Sequence, residues 1–111
     1  MTDTCARVAH LFGPQSRMTD LQQEELWRRY DQRWVRWRVR VGEISNGALG
    51  GLQMQFKCSG EALIADGSAF FPDSARERLL RIHPDEVVTL VAQLKDHGQI
   101  LGLSLDDASL E

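Results

Sequence analysis

The sequence predicts a mainly β fold in which five amphipathic strands close into a small barrel. The run 33–45 alternates apolar and cationic side chains with period two, the period of an extended strand. Its apolar members are Val35, Trp37, Val39 and Val41. Its other face carries Trp34, Arg36, Arg38 and Arg40. Similar alternation returns at 51–58 and 99–105 between turn signals. Strands with one apolar face each must bury those faces together, which favours a closed barrel.

The chain of 111 residues has the length of one domain. We expect residues 1–18 to be a flexible leader, because Gly13 and Pro14 interrupt any regular pattern, and Met18 is a candidate native start. Residues 19–111 then form the domain. Its first element is a predicted helix over 19–33, in which Thr19 can cap the first turn, acidic residues come early and arginines come late.

The middle of the chain predicts two more strands and a short helix. A glycine-rich loop after Asn46 leads into the strand 51–58, which we expect to form a hairpin with the first strand. The third strand is predicted over 61–71, bent at Gly67 and ended by Pro72. A short helix over 75–82 follows, before the chain turns at 83–84.

The segment 86–95 fits two structures. Its apolar residues match a helical stripe, with acids at its start and a glycine after its end. Four β-branched residues and a hairpin signal at 96–98, leading into 99–105, favour a strand instead. We predict a strand. The alternative is an α+β fold with residues 86–96 helical.

Charge and cysteine content limit the location and class of the protein. The net charge of −3 is uneven: residues 1–40 hold eight arginines and five acids, whereas residues 41–111 hold five basic and eleven acidic residues. Cys5 and Cys58 lie far apart in sequence, and we expect free thiols. The chain shows no signal segment and no apolar run of membrane-spanning length. These features predict a cytoplasmic protein that does not enter a membrane.

No catalytic or metal-binding pattern is found in the sequence. His10, His83 and His97 lie in separate segments without partners at metal-ligand spacing. Nucleophile elbows, phosphate-binding loops and dinucleotide glycine patterns are missing. The acidic stretch 106–111 is interpreted as a solvated surface. The sequence therefore predicts a protein that is not an enzyme, with no catalytic residue, no metal site and no cofactor.

The order of elements resembles the OB-fold, a small five-stranded Greek-key barrel. More narrowly, three patterns over residues 27–105 resemble OB domains of the tRNA-anticodon-binding-like class. The first is W-x-x-Y (Trp27 to Tyr30) before V-x-W-x-V-x-V (Val35 to Val41). The others are L-x-x-x-P-D-x-V (Leu80 to Val87) and L-x-L-x-L (Leu101 to Leu105). Pro84 stands where this class usually has a glycine. The resemblance implies a binding domain rather than a catalyst.

The leading functional hypothesis is a non-enzymatic module that binds single-stranded nucleic acid or an oligonucleotide. Arginine and aromatic rings together favour phosphate contacts and base stacking. The predicted binding residues, which we expect to form one surface, are Arg36, Arg38, Arg40, Trp34, Gln53, Gln55 and Lys57. One alternative is a protein-interaction or assembly module, in which the helix 19–33 and the arginines engage an acidic partner or a second copy of the chain. Another is an accessory subunit of a larger enzyme. The arginines could also be ion-paired to acidic neighbours as an ordinary outer face. The sequence leaves the oligomeric state open.

Overall fold

The computed structural model describes residues 3–59, 64–98 and 102–111. In chain order its elements are α1 (Cys5–Phe12), α2 (Asp20–Trp27), β1 (Trp34–Asn46), β2 (Leu52–Lys57), β3 (Gly67–Phe71), α3 (Arg76–Leu79), β4 (Val87–Gly98) and β5 (Gly102–Leu110). A short 3-10 turn, Asp73–Ala75, leads into α3.

The strands close into a barrel in the order β1, β2, β3, β5, β4 and back to β1. Neighbouring strands are antiparallel except β3 and β5, which run parallel over Gly67–Ala69. The predicted mainly β class, the closed barrel and the helix between the third and fourth strands are confirmed. The α+β alternative is wrong, because β4 pairs with β1 and β5 throughout the ambiguous segment. This architecture is OB-like.

The third and fifth strands differ most from their predicted bounds, and β4 also continues to Gly98, past its predicted end at residue 95. The third strand begins at Gly67 rather than at residue 61, and residues 60–63 of the predicted stretch lie outside the described part of the chain. The fifth strand continues to Leu110, well past the predicted end at residue 105. Residues 99–101 of that prediction also lie outside the described residues.

β1 pairs with two neighbouring strands, one along each half of its length. From Trp34 to Arg40 it pairs with β4, and from Arg40 to Asn46 it pairs with β2. Between Val41 and Ile44 the register against β2 shifts, which marks a bulge in the strand. A bulge bends a strand and increases its twist. β4 and β2 lie on opposite edges of β1, and Arg40 pairs with both.

Gly67 permits the close approach of β3 to β5. A Cβ atom at this position would lie 2.6 Å from the carbonyl oxygen of Leu103 and 2.8 Å from the ring of Phe56. No side chain fits in that space. The predicted bend at Gly67 is therefore the start of β3, at the point where the two parallel strands meet.

The inward faces of the strands form the core, as period two requires. All four apolar residues of the first-strand pattern are buried, including Trp37 at 5% exposure. The indole nitrogen of Trp37 donates to the carbonyl oxygen of Asp3 at 2.9 Å, so the ring is buried without losing a hydrogen bond. Tyr30 adds a second contact, because its hydroxyl donates to the Asp3 carboxylate at 2.6 Å. These two bonds fix Asp3 against the barrel.

The N-terminal region contains more structure than the sequence indicates. We expected little structure in residues 1–18, but Cys5–Phe12 form helix α1, with the Thr4 side chain capping its first turn. Val8 and Phe12 are buried, and the Phe12 ring lies 5.0 Å from that of Trp27. The contacts are long-range and apolar, which explains why local signals missed the helix.

The predicted helix 19–33 is shorter in the structure. α2 ends at Trp27, and residues 28–33 form turns that lead into β1. The predicted cap is confirmed: the Thr19 hydroxyl accepts from the backbone N–H of Gln22, whose side chain accepts in return from the N–H of Thr19. Gln32 adopts a left-handed conformation at φ 63°, which ends the turn, and its N–H donates to the Leu94 carbonyl.

The prediction of free thiols is wrong, because Cys5 and Cys58 form a disulfide. The bond joins α1 to the residue that follows β2 and closes a loop across 53 positions of sequence. The two cysteines are distant in sequence, but the packing of α1 against the barrel brings their Cα atoms within 5.4 Å of each other. The thiol argument for a cytoplasmic location is therefore removed, and that location stays a prediction.

None of the helices in the described ranges is both long and apolar enough to span a membrane.

We expect replacement of Trp37 by alanine to lower the free energy of unfolding by about 3–5 kcal/mol, because it removes a buried ring from the barrel core. Replacement of Arg38, whose side chain is exposed on the opposite face, should change it by less than about 0.5 kcal/mol. Urea denaturation measures both. Equal losses for the two variants would contradict the assignment of the faces of β1.

We expect the double variant Cys5→Ala, Cys58→Ala to lose about 4 kcal/mol of stability, because the unfolded chain is no longer restricted by a loop of this length. Urea denaturation without reductant measures the loss. Reductant should destabilise the wild-type protein similarly and leave the double variant unchanged. Titration of two free thiols in the unfolded, unreduced protein would show that the bond does not form.

Candidate binding face

Four side chains of β1 point outward in one row, which we call the arginine face: Trp34, Arg36, Arg38 and Arg40. Alternate residues of a strand lie about 6.8 Å apart, so the three guanidinium groups project at regular steps. Trp34 begins the row and is 50% exposed, which is high for such a large ring. The row is thus a line of cations with an accessible aromatic ring at one end.

The strand beside the arginine face carries no charge opposite it. Each member of the row faces an uncharged residue of β4, in order Gln93, Val91, Thr89 and Val87. Val87 is partly exposed beside Arg40. An extended ligand that lies along β1 would therefore meet uncharged side chains of β4 itself on this edge.

Arg36 is the member of the row that has an acidic partner. Its Nε atom donates to Oε2 of Glu111 at 2.6 Å, and Nη2 lies 2.6 Å from the same oxygen. The contact lowers the pKa of the Glu111 carboxyl through this hydrogen bond, and it raises the pKa of Arg36. Both side chains remain about half or more exposed.

The other two arginines keep their charges available. Arg40 donates from Nη1 to the backbone carbonyl of Asp85 at 2.9 Å, which orients the side chain without neutralising it. Asp85 is held at φ 68° in the turn before β4, and its N–H donates to the Val41 carbonyl. The Arg38 side chain forms no hydrogen bond or ion pair with any residue within 3–59, 64–98 or 102–111. Within those ranges, the ordinary ion-paired surface considered from the sequence is found at Arg36 and not at Arg38 or Arg40.

The three predicted binding residues of β2 lie beside only one end of the arginine face. Lys57 pairs directly with Arg40, whereas Gln53 pairs with Ser45, beyond the bulge. Gln55 and Gln53 pair on their other side with β3, and the Gln53 amide donates to the Ser68 hydroxyl at 3.1 Å. The two rows thus meet at Arg40 and Lys57, because Arg36 and Arg38 have β4 as their neighbour.

Phe70 and Phe71 point to opposite sides of β3. Phe71 is buried at 3% exposure, and Phe70 is partly exposed. Phe70 pairs with Gln53 and therefore belongs to the outer face of β2 and β3, away from the arginine face.

Sequence reasoning missed two residues that shape the face. The stretch 106–111 was interpreted as a solvated acidic surface, but Glu111 contacts Arg36 across 75 positions of sequence. Arg78 of α3 donates to the carbonyl oxygens of Leu110 and Glu111 at 3.2 and 2.8 Å. No local pattern indicates either contact, because both depend on which strands become neighbours.

Comparison of the chain with protein-family models, with curated proteins and with solved structures found no match. Function is therefore inferred from the geometry of this barrel.

We expect Arg36→Gln to raise the pKa of the Glu111 carboxyl toward its ordinary value of about 4.3, because the hydrogen bond that favours the ionised form is lost. In the wild-type protein the ion pair contributes stability above that ordinary pKa and loses it as the pH falls through the lowered value. NMR titration of the Glu111 carboxyl carbon measures the shift. Arg38→Gln is the matched control and should leave the titration unchanged.

Proposed function

We propose that the barrel is a binding module whose arginine face holds the backbone of a single-stranded nucleic acid. The observation that carries this proposal is the outward row Trp34, Arg36, Arg38 and Arg40, of which Arg40 is half-buried and the others are exposed, beside uncharged residues of β4. Guanidinium groups form strong, charge-assisted hydrogen bonds with phosphate oxygens. Regular spacing along a strand suits a ligand with a regularly repeated charge.

The net charge of −3 does not oppose this proposal, because the charge is distributed unevenly. The arginine face concentrates cations on half of one strand, and Lys57 adds another opposite Arg40. Like charges in directly opposite cross-strand positions repel each other. An anion bound between these two side chains would relieve that repulsion, so the pair supports an anionic ligand.

Trp34 supports a ligand that carries bases. Proteins that bind single strands combine a basic track with aromatic rings on which bases stack, and stacking does not require a particular base. The exposed ring of Trp34 lies at the end of the cationic row, where it could receive a base of a strand held along the arginines. Direct sequence readout is not part of the proposal.

An acidic segment of a protein is the second candidate ligand. The contact between Arg36 and Glu111 supports it, because this face already binds a carboxylate. If the ligand is an acidic protein segment, the exposed side chain of Leu21 in the first turn of α2 would add an apolar contact. Arginines would then bind carboxylates and Trp34 would pack against the backbone of the partner.

The triple variant Arg36→Gln, Arg38→Gln, Arg40→Gln tests the proposal. Up to three phosphate contacts are removed, so we expect the salt dependence of binding to an oligothymidylate to weaken by roughly 0.7 in log–log slope per contact. Fluorescence anisotropy over a series of salt concentrations measures the slope. In the same assay Trp34→Ala should lose about 1–3 kcal/mol of binding free energy if the ring stacks a base.

The matched control removes three exposed arginines outside the row, Arg17, Arg28 and Arg29, and changes the net charge equally. It should retain most of the affinity and the slope. Equal losses in the two triple variants would show that only net charge matters. The nucleic-acid proposal fails if the wild-type protein does not bind at low salt, and retention of an acidic peptide under the same conditions would then favour the protein-binding alternative.

A further inference from the structure

Two hydrogen bonds to the backbone of Glu111 hold this residue beside the arginine face. Its N–H donates to the carbonyl of Thr89 in β4 at 3.0 Å, and its carbonyl oxygen accepts from Arg78 of α3 at 2.8 Å. Thr89 is the residue of β4 that pairs with Arg38 of β1. The backbone of Glu111 is therefore positioned one strand away from the arginines by contacts that do not involve its carboxylate.

From this position the carboxylate reaches over β4 and binds Arg36. A single oxygen, Oε2, lies 2.6 Å from both Nε and Nη2 of the guanidinium. Together with Arg38, Val87 and Thr89 the pair lines an open depression on the surface of the barrel. The carboxylate thus occupies the same edge of Arg36 that a phosphate oxygen would use.

The ion pair between Arg36 and Glu111 is formed in the structure, and both side chains are exposed enough for an anion from solution to replace the carboxylate. The Arg36 side chain is 67% exposed and that of Glu111 is 48% exposed, so water and salt screen the pair. A phosphate that enters the depression can replace the carboxylate without leaving the guanidinium unpaired. When the phosphate leaves, the Glu111 carboxylate can bind Arg36 again, because the contacts of its backbone with Thr89 and Arg78 do not depend on the carboxylate.

We propose that Glu111 is an internal competitor for the anion-binding site of the arginine face. This inference rests on the proposed function, since it names how that same site is regulated. Arg38 and Arg40 accept an anion directly, whereas Arg36 accepts one only when the carboxylate is displaced. The face therefore favours a polyanion, such as a nucleic-acid backbone, that occupies several arginines together, over a single small anion.

The variant Glu111→Gln tests the inference, because it removes the charge and keeps the backbone contacts. We expect it to bind an oligothymidylate more tightly than the wild-type protein, by up to about fivefold, the range that an exposed ion pair spans. Its salt slope should be steeper by up to about 0.7, because Arg36 can then neutralise a phosphate, and release the counterion of that phosphate, in every complex rather than only where the carboxylate has been displaced.

Two controls separate this effect from a change in net charge. Asp107→Asn removes one negative charge from β5, the strand that Glu111 follows, and asparagine tolerates the left-handed conformation at φ 52°. It should not reproduce the gain. In the Arg36→Gln background, Glu111→Gln should give no gain either. The inference is overturned if Asp107→Asn gives the same gain, or if the wild-type protein binds the oligothymidylate and Glu111→Gln binds it no better.

Inorganic polyphosphate, an anion without bases, separates failure of this inference from failure of the proposed function. If neither protein binds the oligothymidylate but Glu111→Gln binds polyphosphate more tightly than the wild-type protein, the competitor role stands and the nucleic-acid proposal is wrong. If neither protein binds either probe at low salt, both proposals are wrong.

Discussion

The staggered pairing of β1 is the constraint on which the rest of the structure depends. β1 pairs with β4 along one edge from Trp34 to Arg40 and with β2 along the other edge from Arg40 to Asn46, and the bulge between Val41 and Ile44 bends its second half. Barrel closure depends on both edges, because β1 lies between β2 and β4 in the strand order. The stagger also decides the surroundings of the arginine face, which lies on the half of β1 that pairs with β4.

The N-terminal segment and its helices pack over one side of the barrel core. The Trp37 indole N–H needs an acceptor, and Asp3 supplies it from outside the barrel. α1 then places Phe12 against Trp27 and His97, and the disulfide fixes the helix to the end of β2. These contacts involve the inward side of β1, the helix α2, and the ends of β2 and β4. The outward side of β1 is left accessible, which is what a binding face needs.

The electrostatics of the face follow from the position of each arginine relative to β5 and the turn before β4. Arg36 meets Glu111, Arg40 meets a backbone carbonyl, and Arg38 lies between them facing Thr89. One row of identical residues therefore contains three different environments. A ligand along the row would meet in succession Arg36 with its carboxylate partner, Arg38, whose side chain has no partner among the described residues, and Arg40, which a backbone carbonyl orients.

The sequence by itself determined the properties that depend on near neighbours in the chain. Period two decided which side chains of β1 point inward, because side chains alternate along any strand, and Val35, Trp37 and Val39 are buried as predicted. The cap at Thr19 is local for the same reason. The face of each residue in the candidate site was therefore predictable, and so was the barrel that buries the apolar faces.

Only the tertiary structure decided which distant residues meet. The pairing of Arg36 with β4 rather than β2, the contact of Glu111 with Arg36, and the bond between Cys5 and Cys58 join positions far apart in sequence. Helix α1 belongs to the same group, since apolar contacts with the barrel define its place. No local pattern encodes these contacts, because they arise from the packing of complete strands and helices against one another.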